Sequence, residues 1–569
     1  MAIDKPSSPS AGLAFRRFRP QSHFIAPHSW ANDPCGAVYI PETREYLVCY
    51  QWNPGTSQGG NCAWGAARSR DLVTWEDCAP ALCNGPAGSY DALGVFSGSI
   101  VSRLEQSGGG GKRVLYLFYT SVSHMPIHWS RPYQPGCETQ SVAVSRDLGR
   151  SWERHQRNPL ISLPPRMEAT TGWRDPFVSP WASLSELRGV SVETMYMMIA
   201  SGEHGRGSQL HLYTTEDLLG WTYLGVLLDV KQGEQVQPDS YLTFGMNFEC
   251  GTFATVGGSD YIILGVEEDV TNRRHNCHYE AWLGGKVTLA EDGTPKFVIT
   301  NHGLLDHGVL YAAHLFRGEG GRLLQLGWAD ETASPAVVKA QGWAGCMSHP
   351  RELFEITRPV VDGECRSTVE WEVDEARGLM TTLGIRPAEE VASLRRERFG
   401  SSMRDLERLQ STNYEIEATL SNITGPEVFA LNVRQAPDDE EVTQIIVNLR
   451  EGRITIDRSR SSLAGLGTGS STLPDSGPFA TLPGEDEVRL RVFVDGSLIE
   501  VFANNRFALT SRVYPSLDES LGASCVLSEG YEEGSVAIAV WEGLKGAWPQ
   551  REAGMHRFED LHPLRMTGA

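Results

Sequence analysis

The feature of this 569-residue chain that most constrains its fold is a short pattern that returns three times. Residues 64–76 read WGAARSRDLVTWE, residues 141–153 read SVAVSRDLGRSWE, and residues 210–223 read LHLYTTEDLLGWTY. Each is a β-type run, then a polar turn containing Asp-Leu, then a Trp four or five residues after the Asp. The copies start too far apart to be adjacent strands of one meander. They read as equivalent corners of successive four-stranded blades, the signature of a β-propeller. Five units of ~70 residues would fill roughly the first 350. The competing reading is a coincidence of hairpins within a large sandwich.

The rest of the chain supports an all-β protein in two parts. Short runs rich in Val, Ile, Tyr and Thr, bounded by Gly, Pro, Asn or Asp, dominate the first 370 residues, and helical periodicity is nearly absent. SGGGG at 107–111 reads as a hairpin loop. The stretch 386–398, RPAEEVASLRRER, has Pro near its start, acids next and basic residues last, which predicts a short helix. From Tyr414 alternating strands resume, and VDGS at 494–497 marks a hairpin. The expected organisation is an N-terminal extension (1–20), a five-bladed propeller (21–372), a linker with a short helix (373–405) and a β-sandwich (406–569). Within the sandwich, 459–478 reads as a surface loop, and its glycine spacing lacks the strand–helix context of a phosphate loop.

Charge and cysteine usage narrow the partners. Lys and Arg number 50 against 71 Asp and Glu, a net charge of −21, which argues against nucleic acid or an anionic membrane as partner. No apolar run reaches the ~18–20 residues of a membrane helix. The first 21 residues lack the apolar core of a secretory leader. The eleven cysteines are odd in number and without a C-x-x-C pair, and a single glycosylation sequon occurs at Asn422. A cytoplasmic location is expected, with secretion only if a leader is missing from the sequence. A sandwich edge offers a surface for a homodimer.

Three acids stand in aromatic, turn-rich settings: Asp33 in WANDPCG, Asp175 in WRDPF and Glu249 in NFECG. Their separations, 142 and 74 residues, approximate two blades and one. Equivalent inner strands converge on a propeller axis, so this spacing brings the three carboxylates to one mouth. Crowded carboxylates repel, which raises at least one pKa and suits acid–base work. For each acid alone the plain reading is structural: an Asx turn for Asp33, an ion pair with Arg174 for Asp175, a strand end for Glu249. No metal or other cofactor is expected. His124 and His128 are interrupted by Pro126, and His275, Cys277 and His278 alternate faces on a strand.

Taken together, WANDPCG with His28 upstream, FSGS at 96–99, RDP at 174–176 and EC at 249–250 resemble the signature set of glycoside hydrolase family 32, the β-fructofuranosidases, inulinases and fungal fructosyltransferases. QWNP at 51–54, WGAA at 64–67, LDHGVLYAA at 305–313, GWAGCMSHPREL at 342–353, DRS at 457–459 and FVDGSLIEVFANN at 493–505 extend the resemblance over nearly the whole chain. It implies a five-bladed propeller followed by a β-sandwich. It also implies a retaining mechanism on sucrose or short fructans, with fructose passed to water or to a sugar. Asp33 would be the nucleophile, Glu249 the acid and base, and Asp175 the group that holds the fructose hydroxyls. Arg174 would keep carboxylates ionised; Asn32, Gln51, Trp64, Phe96 and Ser97 would line the fructose pocket, with Trp64 as its apolar wall. Residues 121–140 resemble the fructosyltransferase branch, and Glu267, His278 and Tyr311 resemble its acceptor-side positions. Cys35, Ser97 and Gly251 depart from the residues more usual there.

Overall fold

The recurrent Asp-Leu pattern folds the same way each time. Asp71 Oδ1 accepts the amides of Val73 and Thr74, Asp147 Oδ1 those of Arg150 and Ser151, and Asp217 Oδ1 those of Leu219 and Gly220. The leucine that follows each Asp takes a left-handed conformation, φ 65° at Leu72, 63° at Leu148 and 67° at Leu218. That conformation costs an ordinary L-residue about 1–2 kcal/mol, which the carboxylate-to-amide bonds offset. Each turn joins the third strand of a blade to the fourth: Ala63–Ser69 to Trp75–Leu82, Glu138–Ser145 to Glu153–Arg154, and Gly207–Thr215 to Thr222–Asp229.

The computed structural model describes residues 9–107, 110–238, 240–267, 278–360, 369–421, 423, 428–465, 469–527 and 535–551. Five sheets built from antiparallel strands form the blades, and their innermost strands are Ser29–Ile40, Gly94–Ser107, Thr170–Pro180, Asn247–Val256 and Leu310–Arg317. Each innermost strand packs on that of the next blade and the fifth packs on the first, closing the ring. A two-residue strand, Trp343–Ala344, pairs in parallel with the start of the first. Two five-stranded sheets follow as a sandwich, with Asn413–Ser421 and Glu487–Asp495 central in one and Val428–Gln435 and Thr443–Asn448 central in the other. Ile416, Val492, Val501, Leu431, Ile445 and Val447 are fully buried between them.

Several expectations need correction. The helix expected over 386–398 is a six-residue 3-10 helix, Glu389–Leu394. Arg386 and Pro387 are instead paired with Glu352 and Arg351 at the end of a fifth-blade strand. Arg395 is drawn out to Glu415 and Glu417, with its guanidinium 3.8 Å from the Trp541 ring. Tertiary contacts thus override helix propensity. The stretch expected as a linker, 373–405, holds the strand Leu379–Pro387 and most of Glu372–Asp374, both in the fifth sheet. The 459–478 stretch ends in an edge strand, Asp475–Pro478. Among the described residues four short α-helices escaped the periodicity: Pro9–Arg17, Ala182–Arg188, Pro335–Gln341 and Met403–Leu406. In the first hairpin of blade 2 the strands run to Ser107 and from Gly110; residues 108–109, the sequon Asn422, His275 and Cys277 lie outside the described residues.

The two domains meet through charge. Arg351 pairs with Asp306 at 2.9 Å and with Glu500 at 2.7 Å, all three side chains fully buried. His23 lies between Asp495 (2.7 Å) and Glu500 (2.9 Å). Asp306 also accepts the amide and hydroxyl of Thr510 across the seam. Gly308 makes this approach possible, because a Cβ there would stand 1.7 Å from the Thr510 carbonyl oxygen.

Candidate active site

Every innermost strand of the propeller is bulged at the same level. Pairing with the second strand slips around Asn32–Asp33 in blade 1, Ser97 in blade 2, Asp175–Pro176 in blade 3, Cys250–Gly251 in blade 4 and Ala312–Ala313 in blade 5. Asp175, Cys250 and Ala312 take positive φ there (64°, 48° and 52°). A bulge re-aims side chains that a regular strand would send into the sheet faces. Here five bulges turn Asp33, Ser97, Asp175, Glu249 and Tyr311 toward one mouth, which the 142- and 74-residue spacings had anticipated for the three acids.

Asp33 is held from three blades. Asn32 Nδ2 donates to its Oδ1 (3.0 Å) and Ser97 Oγ to its Oδ2 (2.6 Å), while Trp30 Nε1 fixes Asn32 through its Oδ1 (2.9 Å). The Cys250 thiol stands between carboxylates, 3.4 Å from Asp33 Oδ2 and 3.6 Å from Asp175 Oδ2. The Cys250 amide donates to Asp175 Oδ2 (2.9 Å), and the Asp175 amide donates to Thr120 Oγ1 (2.9 Å). Burial pushes Asp33 above the usual carboxylate range, against the bonds from Ser97 and Asn32. Burial likewise pushes Asp175 up to about 7, against the pull of Arg174.

Arg174 does not grip Asp175. Its three nitrogens reach three glutamates: Nε to Glu249 (3.0 Å), Nη1 to Glu138 (2.9 Å) and Nη2 to Glu267 (3.1 Å). The ion pair offered as the plain reading of Asp175 is therefore absent: the bulge turns its carboxylate to the Cys250 amide, while Arg174 is taken up by the glutamates. Tyr311 donates to Glu249 Oε2 (2.9 Å), so each oxygen of that carboxylate has a donor. Glu267 also accepts from Asn247 Nδ2 (2.9 Å), and burial beside Glu249 lifts it to about 8. His278 stacks on Tyr311 with ring centres 4.1 Å apart, and burial lowers it to about 4.

Two expected pocket residues act from behind the mouth. Trp64 is fully buried, its indole N–H on the Phe96 carbonyl (3.1 Å), so it is not a sugar-facing wall. Gln51 is nearly as buried and donates to the Val95 carbonyl (3.0 Å), which with Trp64 braces the strand carrying Phe96 and Ser97. Phe96 itself is half-buried. Glu138, Glu280, Thr120 and Asn247 were missed. Glu280 is fully buried on the third strand of blade 4, with neither oxygen in a hydrogen bond of good geometry. Burial pushes its carboxyl well up, although the Ala312 and Ala313 amides act on it from the blade-5 bulge. Glu280 and Thr120 lie within regular strands, where no turn chemistry flags them, whereas Glu138 opens its strand just after the Pro135-Gly136 turn and Asn247 stands two residues before Glu249.

Among the described residues the mouth therefore holds six carboxyl groups, Asp33, Glu138, Asp175, Glu249, Glu267 and Glu280, and one guanidinium, that of Arg174. Such a cluster keeps some members protonated near neutrality, the condition for a site that both donates and accepts protons. Among the described residues one group sets three metal-type ligands together, His23, His349 and Glu500 at the domain seam. It is ill-suited to an ion. The two imidazoles stack 3.7 Å apart and cannot both aim a lone pair at one point, and both His23 nitrogens face carboxylates.

Comparison with known proteins agrees with the geometry. The Glycosyl hydrolases family 32 N-terminal domain matches residues 23–359, and the Glycosyl hydrolases family 32 C terminal matches 383–542. A sucrose-6-phosphate hydrolase of Escherichia coli is 27% identical over 506 residues, 88% of this chain and 90% of that one. A β-fructofuranosidase of Aspergillus kawachii, solved with glycerol, superposes with a TM-score of 0.80 at 26% identity, covering 97% of this chain and all of the other. A fructosyltransferase of A. japonicus shares the fold at the same TM-score and 24% identity, over 96% and 99% of the two chains. With matches over both of its domains, the chain belongs to glycoside hydrolase family 32.

Proposed function

We propose that this glycoside hydrolase is a retaining β-fructofuranosidase that cleaves sucrose and short fructans from their fructose end. The observation that carries the reading is the convergence of Asp33, Asp175 and Glu249 from three of the five bulged strands, with Asp33 and Asp175 sharing one thiol and Glu249 held by Arg174 and Tyr311. Asp33 attacks the fructosyl anomeric carbon while Glu249, protonated, gives its proton to the leaving oxygen. A covalent fructosyl-enzyme forms, and Glu249, now ionised, takes a proton from the acceptor as it displaces Asp33. Asp175 and Asn32 bind fructose hydroxyls and stabilise the oxocarbenium-like state.

Because the intermediate is covalent, water and a sugar hydroxyl compete for it, and we extend the proposal to fructosyl transfer at high sucrose. The relative that is a sucrose-6-phosphate hydrolase makes phosphorylated sucrose the natural competitor substrate. Product analysis tests all of this. The enzyme is incubated with dilute sucrose, concentrated sucrose and sucrose 6-phosphate, and products are resolved. Release of glucose and fructose from dilute sucrose supports the main reading, and inert sucrose overturns it. Trisaccharide at high sucrose, with glucose in excess of fructose, supports transfer; equal glucose and fructose throughout overturns that extension. A strong preference for the phosphate ester would reassign the substrate.

A cytoplasmic location belongs to the same proposal. Its support is chemical: nine cysteines among the described residues carry free thiols. So does a homodimer through a sandwich edge strand, which sedimentation at two protein concentrations would test.

A further inference from the structure

Blade 4 presents two rungs of polar side chains to its neighbour, and one position in them is empty. The first three strands of the blade are Asn247–Val256, Ser259–Glu267 and His278–Leu289, and residues directly opposed across them share a face. One rung reads Asn247, Glu267, His278. The next, two residues along each strand and so on the same face, reads Glu249, Gly265, Glu280. Gly265 does not take a positive φ, so its backbone would admit any residue. A glycine inside a strand costs stability and marks a place that something approaches closely.

What approaches is the phenol of Tyr311, reaching over from blade 5. A Cβ on Gly265 would stand 2.7 Å from both Cζ and Oη of Tyr311 and 2.8 Å from its Cε2. The ring thus fills the notch that the glycine leaves between Glu249 and Glu280. Its hydroxyl donates to Glu249 Oε2 (2.9 Å), and His278 of the first rung stacks on it. The base of the side chain is held too. Tyr311 opens the blade-5 bulge, where Ala312 and Ala313 drop out of the pairing with the second strand. Their two amides act on the carboxyl of Glu280, which closes the far end of the second rung and is fully buried. A methyl at 265 could be admitted only by moving the ring. Carbon contacts settle at about 3.5–4.0 Å, so the phenol would withdraw by roughly 1 Å, and a 2.9 Å hydrogen bond does not survive that.

We propose that Gly265 and Glu280 are positioning residues that aim the Tyr311 hydroxyl at Glu249, Gly265 by the room it leaves for the ring and Glu280 by holding the bulge that carries it. Arg174 already tethers Glu249 Oε1, so the phenol on Oε2 fixes the remaining rotation of the carboxyl group. With both oxygens tethered, Glu249 keeps one orientation while it gives a proton to the leaving oxygen and while it takes one from the acceptor. Gly265 and Glu280 act through Tyr311 and need no contact with the sugar.

The inference rests on the β-fructofuranosidase reading, and its test keeps the two apart. Gly265→Ala and Glu280→Gln are each made in the wild-type chain and in Tyr311→Phe, and kcat/KM on sucrose is measured for every protein. Tyr311→Phe keeps the ring but has no hydroxyl to aim, so a packing defect persists in it and an aiming defect does not. A wild type inert on sucrose fails the underlying reading. On an active wild type, Tyr311→Phe should lower kcat/KM by about tenfold, and Gly265→Ala by a similar factor. Added to Tyr311→Phe, Gly265→Ala should cost less than about twofold more. Glu280→Gln should follow the same rule from a smaller start, about fivefold alone and less than about twofold on Tyr311→Phe, and it carries the test if Gly265→Ala does not fold. A substitution that costs as much without the hydroxyl as with it overturns the proposal. So does a Gly265→Ala or Tyr311→Phe enzyme as active as the wild type.

Discussion

The propeller mouth and the domain seam are made of the same materials in different proportion. At the mouth six carboxyl groups surround Arg174, and burial drives Asp33, Asp175, Glu267 and Glu280 upward. At the seam Asp306, Asp495 and Glu500 meet two cations, Arg351 and His23. There the carboxylates go the other way: burial opposes, but the His23 and Arg351 contacts hold Asp495 and Glu500 below the usual range. His23 rises to about 9, the two carboxylates outweighing its desolvation. A buried cluster in which two cations are shared among three carboxylates locks two domains together; one with a larger surplus of negative charge stores protons and is available for chemistry. The most direct way to break this comparison is to remove ionisable oxygen from each cluster and read both activity and stability.

The largest effect is expected on turnover at the mouth. Asp33→Asn and Glu249→Gln should each lower kcat on sucrose by roughly three orders of magnitude or more, with the fold retained by circular dichroism. A variant that turns over near the wild-type rate would remove that residue from the proposed roles. At the seam Glu500→Gln should leave kcat within about twofold but cost on the order of 3–5 kcal/mol in denaturant unfolding, because His23 and Arg351 lose a shared negative charge and one of the two oxygens that serve them and the His349 amide becomes a donor. Asp175→Asn should do the reverse at pH 8: turnover falls while the protein gains on the order of 1–3 kcal/mol, since a buried charge disfavoured up to about pH 7 is gone. If both amide substitutions destabilise alike, the two clusters do not differ in the way described.

The seam also sets a pH dependence. His23 titrates near 9 in the folded chain against about 6.5 unfolded, so its contribution is complete below about pH 6.5 and is lost as pH rises through about 9. Asp495 and Glu500 titrate below their unfolded values, so their contribution is present above about pH 4.5 and is lost in acid. Raised mouth carboxyls add to the alkaline loss, since their protonated forms are favoured by folding. Unfolding free energy measured from pH 6 to 9.5 should fall by about 3 kcal/mol more in the wild type than in His23→Gln. Parallel curves would show that His23 is not charged in the fold.

How much of this is legible in the sequence differs between the two regions. The mouth's three acids sit in bulges built from turn-forming residues, Asn-Asp-Pro, Arg-Asp-Pro and Glu-Cys-Gly, so composition and one-blade spacing announce them together. Glu280 lies within a regular strand and Glu138 at the first position of one, where nothing local distinguishes a buried carboxyl from a solvated one; only the assembled ring reveals that both face inward. At the seam Asp495 read simply as the first residue of an Asp-Gly hairpin. The hairpin is there, with Gly496 at φ 62°, but the Asp495 side chain takes the Gln21 and Ser22 amides and His23 from 470 residues and more away. The helix expected over 386–398 failed for the same reason: Arg395 has a partner in the sandwich that the local sequence does not contain. Periodicity and turn chemistry are local, whereas charge pairing at an interface is not.

The finest comparison removes one hydroxyl from each cluster. Ser97 Oγ donates to Asp33 Oδ2 at 2.6 Å, and Ser22 Oγ donates to Asp495 Oδ2 at 2.8 Å. The bonds are alike, but the carboxylates are not. Asp495 has His23 and two amides as further donors, so its ionised form survives the loss, and Ser22→Ala should cost about 1 kcal/mol of stability without moving any pH profile. Asp33 keeps only Asn32 and the weak Cys250 thiol as donors, in a site where burial already disfavours its charge. Ser97→Ala should therefore push Asp33 further up and shift the acid limb of kcat/KM toward higher pH by roughly half a unit to one unit, with a smaller change in the plateau. A plateau loss with an unmoved acid limb would make Ser97 a contact for the sugar and not a donor that keeps Asp33 ionised.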